Sequence, residues 1–158
     1  MLLMGGLLAG GLAGCDNSSA PSPVNAPPAT PPTPPVTPPT AGPSGSYTAA
    51  GTTMTATSPT ANYMGTTLTI GLVNATNGVT LTLTPVTGPG TISLASGGSL
   101  GLYSVGSMGS LASTGSVQIT TFDTATRKVS GTFSFDATDL ATGTVTHITN
   151  GTFSNLTF

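Results

Sequence analysis

The sequence lacks the residues on which several large classes of protein depend. Its 158 residues contain no Trp, one His and one Cys, and charged residues make up only 4% of the chain. With Arg127 and Lys128 as the only basic residues, the chain lacks the positive surface that displaces counterions from nucleic acid, so no nucleic-acid partner is expected. One cysteine excludes a disulfide scaffold. The absence of Glu argues against a helical bundle, since Thr, Gly, Ser and Pro predominate instead.

An apolar run opens the chain and ends in Leu12, Ala13, Gly14 and Cys15. It is shorter than a transmembrane helix, which takes about 20 apolar residues, and it suits the apolar region of a secretory signal. Its last four residues match the bacterial lipobox, in which the cysteine becomes the acylated first residue of the mature chain. The sequence therefore predicts a signal peptide over residues 1–14, with Leu12, Ala13 and Gly14 as the cleavage motif and Cys15 as the site of lipid (palmitate) attachment. The alternative is an ordinary signal peptide with an incidental cysteine.

The lipobox predicts a location in the bacterial cell envelope, with the protein lipid-anchored on the periplasmic or the surface face of a membrane. Acylation also accounts for the lone cysteine, which would otherwise be an unpaired thiol in an exported protein. No Lys or Arg precedes the apolar run, although signal peptides begin with a positively charged segment. We therefore expect the true start of translation to lie upstream of Met1.

A proline-rich segment follows the cysteine. Eleven of the 14 prolines lie between Pro21 and Pro43, and proline supports neither helix nor strand pairing because it fixes φ and lacks a backbone N–H. Extended polyproline II is the expected conformation, with a reach of roughly 90 Å for a segment of this length. Residues 15–45 are therefore predicted to form the acylated cysteine and a disordered Pro/Thr-rich linker. Since no basic residue flanks the prolines, a PxxP ligand for another domain is the less favoured alternative.

Residues 46–158 carry the pattern of an all-β domain. In Val79–Thr84 apolar residues alternate with Thr, which is the period of a half-buried strand, and Leu68–Leu72 repeats it. We expect these two strands to be antiparallel neighbours, with Asn77-Gly78 as the turn signal between them. Further strands are expected at 92–94, 100–105, 117–121, 129–135, 144–149 and 152–158. About eight or nine strands without helical periodicity predict an antiparallel β-sandwich or a small, partly open barrel.

The C-terminal strands carry the most specific local predictions. Asp123 to Lys128 is predicted to be a hairpin loop, and Asn150-Gly151 a second hairpin turn. Phe153 is out of phase with Leu156, so the last strand needs a β-bulge near Asn155.

The strand at 129–135 has one apolar face and one hydroxyl face. Phe133 and Phe135 share their parity with Gly131 and alternate with Ser and Thr. We expect both rings to be buried, with Gly131 close to another part of the backbone and Thr132 facing solvent.

The C-terminal third contains GSVQIT at 115–120, Asp123, KVSGTFSF at 128–135 and ITNGTF at 148–153. These segments resemble an uncharacterised domain that recurs in lipoproteins of Bacteroidota. The resemblance implies an all-β, membrane-anchored envelope domain. It carries over no catalytic residues, because none is known for the family.

One motif is a candidate for catalysis. The segment 97–101, Gly-Gly-Ser-Leu-Gly, matches the nucleophile elbow G-x-S-x-G, which needs a preceding strand, a following helix, and an acid and a His as partners. His147 is the only histidine, and no helix is expected after Leu100. A turn between strands is therefore the favoured interpretation of Ser99, and no catalytic residue is predicted.

A metal centre of the His₂ or His₃ type is excluded by a single His and no spare Cys. Asp136 and Asp139 offer carboxylates for a hard cation such as Ca²⁺. Because Asp side chains more often cap local backbone amides, we expect these two to shape the turn after Phe135. Neither a metal nor another cofactor is predicted.

Thr124 is a candidate for modification. The tripeptide Asp123-Thr124-Ala125 fits the short acceptor context that Bacteroidota use for O-glycosylation. The alternative is a loop that simply begins with an Asp.

The leading hypothesis is a membrane-anchored envelope lipoprotein whose non-catalytic β-domain serves structural or protein-contact roles. A glycan- or small-ligand-binding module is the main alternative, and exposed Tyr47, Tyr63 and Tyr103 side chains would support it. A barrel that carries an apolar ligand would need an interior cavity lined by Leu and Phe. An enzyme would need Ser99, an Asp and His147 within hydrogen-bonding reach. The expected partners are thus the membrane, through the lipid, and an envelope protein or glycan.

Overall fold

Ten antiparallel β-strands and no helix make up residues 41–158, the part of the chain that the computed structural model describes. The strands are β1 (Ser44–Ala49), β2 (Thr52–Thr55), β3 (Ser58–Met64), β4 (Thr67–Val73), β5 (Asn77–Leu83), β6 (Gly90–Ser93), β7 (Leu100–Val105), β8 (Met108–Asp123), β9 (Lys128–Thr138) and β10 (Val145–Thr157). They form one sheet that curls into a half-barrel. The predicted all-β class is confirmed, and the architecture is the partly open one of the two that the sequence suggested.

The strand order is β2-β1-β10-β9-β8-β7-β5-β4-β3, with β6 paired to β8. β8 is 16 residues long, so its first part pairs with β7 and its later part with β6 along the same edge. Most neighbours are joined by short turns, whereas β1 pairs with the last strand, β10. This long-range pairing places the start of the domain beside its end.

Three local predictions are confirmed. β4 and β5 are antiparallel neighbours, and Asp123 pairs with Lys128 across the β8–β9 hairpin. The register between β9 and β10 shifts between Phe153 and Leu156, where Asn155 has a φ of 54°. The bulge allows both Phe153 and Leu156 to be buried.

The predicted Asn77-Gly78 turn is wrong, since both residues belong to β5. The reversal between β4 and β5 lies just before them, at residues 74–76. The Asn74 Oδ1 atom accepts hydrogen bonds from the backbone N–H groups of Thr76, at 3.1 Å, and Asn77, at 2.8 Å. An Asn side chain that satisfies the turn in this way moves the reversal three residues earlier than the Asn-Gly signal indicates.

The predicted hairpin at Asn150-Gly151 is also wrong, because β10 runs through it without reversing. Ile148 pairs with Phe135 and Gly151 with Phe133, so the register shifts between them, and Asn150 has a φ of 50°. β10 is held on one side by β9 and on the other by β1. The left-handed conformation that Asn tolerates therefore forms a β-bulge within a central strand.

The core lies inside the curl and contains the inward-facing side chains of most strands. On β9, Phe133 and Phe135 are 4% and 3% exposed, while Thr132 and Ser134, which alternate with them, are exposed, and this confirms the predicted alternation. The Phe133 ring stacks against Phe135 and Phe153, with centroid distances of 6.2 and 6.5 Å. Leu and Ile side chains of β4 and β5 complete this interior.

The two ends of the half-barrel carry different turns. One end, which we call the tip, holds the turns at 50–51, 74–76 and 106–107 and the loop at 139–144 that joins β9 to β10. The opposite end, the base, holds the β8–β9 loop and Phe158. The Phe158 backbone N–H donates a hydrogen bond of 3.1 Å to the Arg127 carbonyl there.

Candidate functional site

A groove of about 620 Å³ crosses the outer face of β6, β8, β9 and β10. Eight of its ten lining residues carry a hydroxyl or an amide; the lining is Thr91, Ser116, Gln118, 132–134 and 149–152. The outward parity of Ser and Thr in β8 and β9 was visible in the sequence. The pairing of β6 with β8, which supplies one wall of the groove, could not be predicted, because no local sequence pattern specifies which strands pair.

His147 and Asp136 face each other across β10 and β9. The His147 Nδ1 atom lies 2.6 Å from Asp136 Oδ1, and the Thr114 hydroxyl donates to Asp136 Oδ2 at 3.2 Å. The hydrogen bond from His147 holds the pKa of Asp136 below its usual range. The expectation that Asp136 shapes the turn after Phe135 is therefore wrong, because Asp136 lies within β9 and pairs with His147 on β10. Both groups line a depression of about 320 Å³ that shares Ser134 and Thr149 with the groove.

Ser99 does not form the constellation that a nucleophile requires. It is buried in the connection between β6 and β7, and it is followed by strand β7. Its Oγ atom accepts a hydrogen bond from the Thr84 N–H at 2.9 Å and donates one to the Thr84 carbonyl at 3.1 Å. The hydroxyl thus satisfies the backbone of another segment, and no hydrogen bond within residues 41–158 joins it to His147 or to a carboxylate.

Asp139 begins the β9–β10 loop and shapes it, as predicted. Its Oδ1 atom accepts the backbone N–H groups of Ala141, at 2.7 Å, and Thr142, at 3.2 Å. These hydrogen bonds hold the pKa of Asp139 below its usual range. In the described part of the chain, no three His, Cys, Asp or Glu side chains come together in a group that would hold a metal ion.

Thr124 lies exposed in the β8–β9 loop. Asp123 organises that loop by accepting the Thr126 hydroxyl at 2.7 Å and the N–H groups of Ala125 and Thr126 at 2.8 and 3.1 Å. The Thr126 hydroxyl and these backbone groups lower the pKa of Asp123. O-glycosylation of Thr124 stays a prediction.

The three tyrosine side chains pack in the core or against it. Tyr47 and Tyr103 are 1% and 7% exposed and meet edge to face, with ring centroids 6.3 Å apart. Burial, with a smaller contribution from Tyr103, raises the pKa of Tyr47 to about 12. Tyr63 is half-buried and donates its hydroxyl hydrogen bond to the Val86 carbonyl at 2.9 Å. These side chains do not form the exposed aromatic cluster that would stack a glycan.

Exposed apolar side chains gather at the tip. Seven large hydrophobic residues are exposed in the described chain, and five of them lie at this end: Val73, Val105, Met108, Leu140 and Val145. We call these five the apolar tip. Met108 and the loop residues 139–142 also line a depression of about 340 Å³. Sequence reasoning missed this patch because its members come from four strands and one loop.

A family model described as Domain of unknown function (DUF6252) matches residues 47–157, from β1 to the end of β10. The chain belongs to this family. No curated protein and no solved structure is similar enough to this chain to count as a match. The predicted resemblance to an uncharacterised domain is thereby confirmed.

The DUF6252 region contains the groove, the Asp136–His147 pair and the apolar tip. Leu12, Ala13, Gly14 and Cys15 precede the region and lie outside the described residues, so the lipid attachment stays a prediction. Within residues 41–158, no helix has the length and hydrophobicity needed to cross a membrane.

Proposed function

We propose that the protein is a cell-envelope lipoprotein, held to a membrane by an acylated Cys15, whose non-catalytic DUF6252 domain contacts another envelope protein through the apolar tip. The observation that carries this proposal is the position of the tip. Five exposed hydrophobic side chains lie at the same end of the half-barrel, which is the end opposite the β8–β9 loop. Apolar patches concentrated on one part of a surface are typical of protein-interaction sites.

The geometry suits a partner that is not the anchoring membrane. β1 has six residues, so it spans about 20 Å. A linker of the kind that the sequence predicts before residue 46 would add a reach of roughly 90 Å if extended. An anchor at Cys15 would therefore leave the tip free to meet a protein at a distance from the lipid.

The alternative, a glycan- or small-ligand-binding module, is favoured by one observation. The groove across β6, β8, β9 and β10 is lined by hydroxyl and amide groups, which can form hydrogen bonds with a ligand. Within the described part of the chain it has no aromatic platform, so hydrogen bonds would have to provide the recognition. This groove lies on the outer face of the sheet, so a ligand there is compatible with a protein partner at the tip.

The anchor is tested by replacing Cys15. We expect Cys15→Ser to move the protein from the detergent phase to the aqueous phase in a phase-partition assay of envelope extracts. The physical reason is that the two or three acyl chains of a mature lipoprotein hold a protein firmly to a bilayer, whereas the variant retains none. Unchanged partitioning would contradict the lipid anchor and leave the tip to be tested separately.

The tip is tested by site-specific photo-crosslinking in intact cells. Leu140 and Met64 are matched in exposure, at 76% and 77%, and lie at the tip and the base respectively. We expect a photo-reactive amino acid at Leu140 to give one discrete adduct that is lost when Met108→Glu is added. The same probe at Met64 should give none. Absence of an adduct at Leu140, or equal adducts at both positions, would contradict a protein-contact role for the tip.

A further inference from the structure

The polar side chains of the groove form rows across strands that are distant in sequence. Thr91 on β6 pairs with Gln118 on β8, which pairs with Thr132 on β9, which in turn pairs with Thr152 on β10. The row continues to Ser46 on β1, whose hydroxyl lies 3.0 Å from that of Thr152. Because neighbouring strands lie about 4.8 Å apart, the row presents hydrogen-bonding groups at a regular spacing.

A second row runs parallel to the first. Ser93 on β6 pairs with Ser116 on β8, and Ser116 pairs with Ser134 on β9. Apart from the contact between Thr152 and Ser46, the groove's hydroxyl and amide side chains make no hydrogen bond to another group in residues 41–158. Their donors and acceptors are therefore free for a ligand.

The groove itself contains no charged side chain. The two basic residues lie at the base, where the Lys128 ammonium donates to the Thr157 hydroxyl at 2.6 Å and to the Asn155 carbonyl at 3.3 Å. An anionic ligand would find no cation among the residues that line the groove. A neutral ligand fits this surface, because each hydroxyl both donates and accepts and each amide offers both functions.

We propose that the groove binds a neutral polyhydroxylated ligand, namely a segment of an uncharged oligosaccharide. Its volume of about 620 Å³ lies in the range of about 300–1,000 Å³ that is usual for small-molecule sites. The adjoining depression extends the surface towards Asp136 and His147, which are paired with each other. This inference does not depend on the protein contact at the tip or on the lipid anchor.

The test is isothermal titration of the full chain with cellohexaose, maltohexaose, xylohexaose and mannohexaose, and with hexagalacturonic acid as the anionic comparison. We expect at least one neutral hexasaccharide to bind with a dissociation constant below about 1 mM and the acidic one not to bind. The double variant Gln118→Ala with Thr132→Val should weaken that binding about tenfold or more, because it removes the centre of the first row. Thermal melts of each variant establish that it is folded.

The matched control is Thr82→Val, which removes an outward hydroxyl from β5, on the far side of β7 from the groove. It should bind the same sugar within about twofold of the parent chain. A panel in which no neutral hexasaccharide binds would overturn the proposal. Preference for the acidic sugar, or equal losses in the groove and control variants, would overturn it as well.

Discussion

Replacing Phe133 with Ala is expected to unfold most of the β-domain under conditions in which the parent chain is folded. The ring is 4% exposed and stacks against Phe135 and Phe153. It also lies over Gly151 on β10, close to where a side chain at that position would have to lie. Truncation of a buried Phe costs about 3–5 kcal/mol, against total stabilities of about 5–15 kcal/mol. Urea unfolding curves of the two chains measure the difference.

Thr132→Ala is the matched control for Phe133→Ala, since the two residues are adjacent on β9 and face opposite sides of the sheet. Thr132 is exposed, so its replacement should cost under about 1 kcal/mol. If Thr132→Ala proved more destabilising than Phe133→Ala, the register of β9 would be off by one residue and the hydroxyl face would be the buried one.

Replacing Gly131 with Ala is expected to destabilise the domain by about 3 kcal/mol, at the upper end of the usual cost of overpacking. A Cβ atom at this position would lie 2.4 Å from the Gln118 carbonyl oxygen and 2.5 Å from the Phe153 ring. The carbonyl belongs to the paired strand β8, so the clash cannot be relieved by a change of side-chain rotamer alone. The midpoint of urea unfolding should fall accordingly.

Gly90→Ala provides the control for Gly131→Ala. Gly90 lies in the short strand β6, and a Cβ atom added there would meet nothing within 4 Å. Its replacement should change the free energy of unfolding by less than about 0.5 kcal/mol. Equal losses of stability in the two variants would contradict a specific role for the close approach of β8 and β10 to Gly131, since a Gly→Ala change without a clash does not destabilise through chain entropy.

Local sequence patterns predicted only part of the candidate site. The outward Ser and Thr of β8 and β9 could be read from the alternation around Val117 and Phe133, because a strand's period of two assigns each side chain to a face. The pairing of Asp136 with His147 could not be predicted. It depends on the register between β9 and β10, which the bulge at Asn150 shifts. Because Asn150-Gly151 was predicted to be a turn, the sequence contained no indication of this register.

The apolar tip was likewise hidden in the sequence. Leu140 and Met108 are 32 residues apart in the sequence, and each on its own is an ordinary exposed hydrophobic residue. These side chains come together because four strands and one loop meet at the same end of the half-barrel. A patch of this kind is a property of the tertiary structure, since single exposed hydrophobic residues are common on protein surfaces.

The sequence by itself determined the all-β class, the β8–β9 hairpin, the bulge at Asn155 and the burial of Phe133 and Phe135, because periodicity and turn chemistry act between near neighbours. Only the tertiary structure decided that β1 pairs with β10, that β6 shares an edge of β8, and that Asn150 forms a bulge. Asn-Gly favours a left-handed backbone in both a turn and a bulge. Which of the two forms depends on the strands that compete for its hydrogen bonds, and those strands are brought there by the fold.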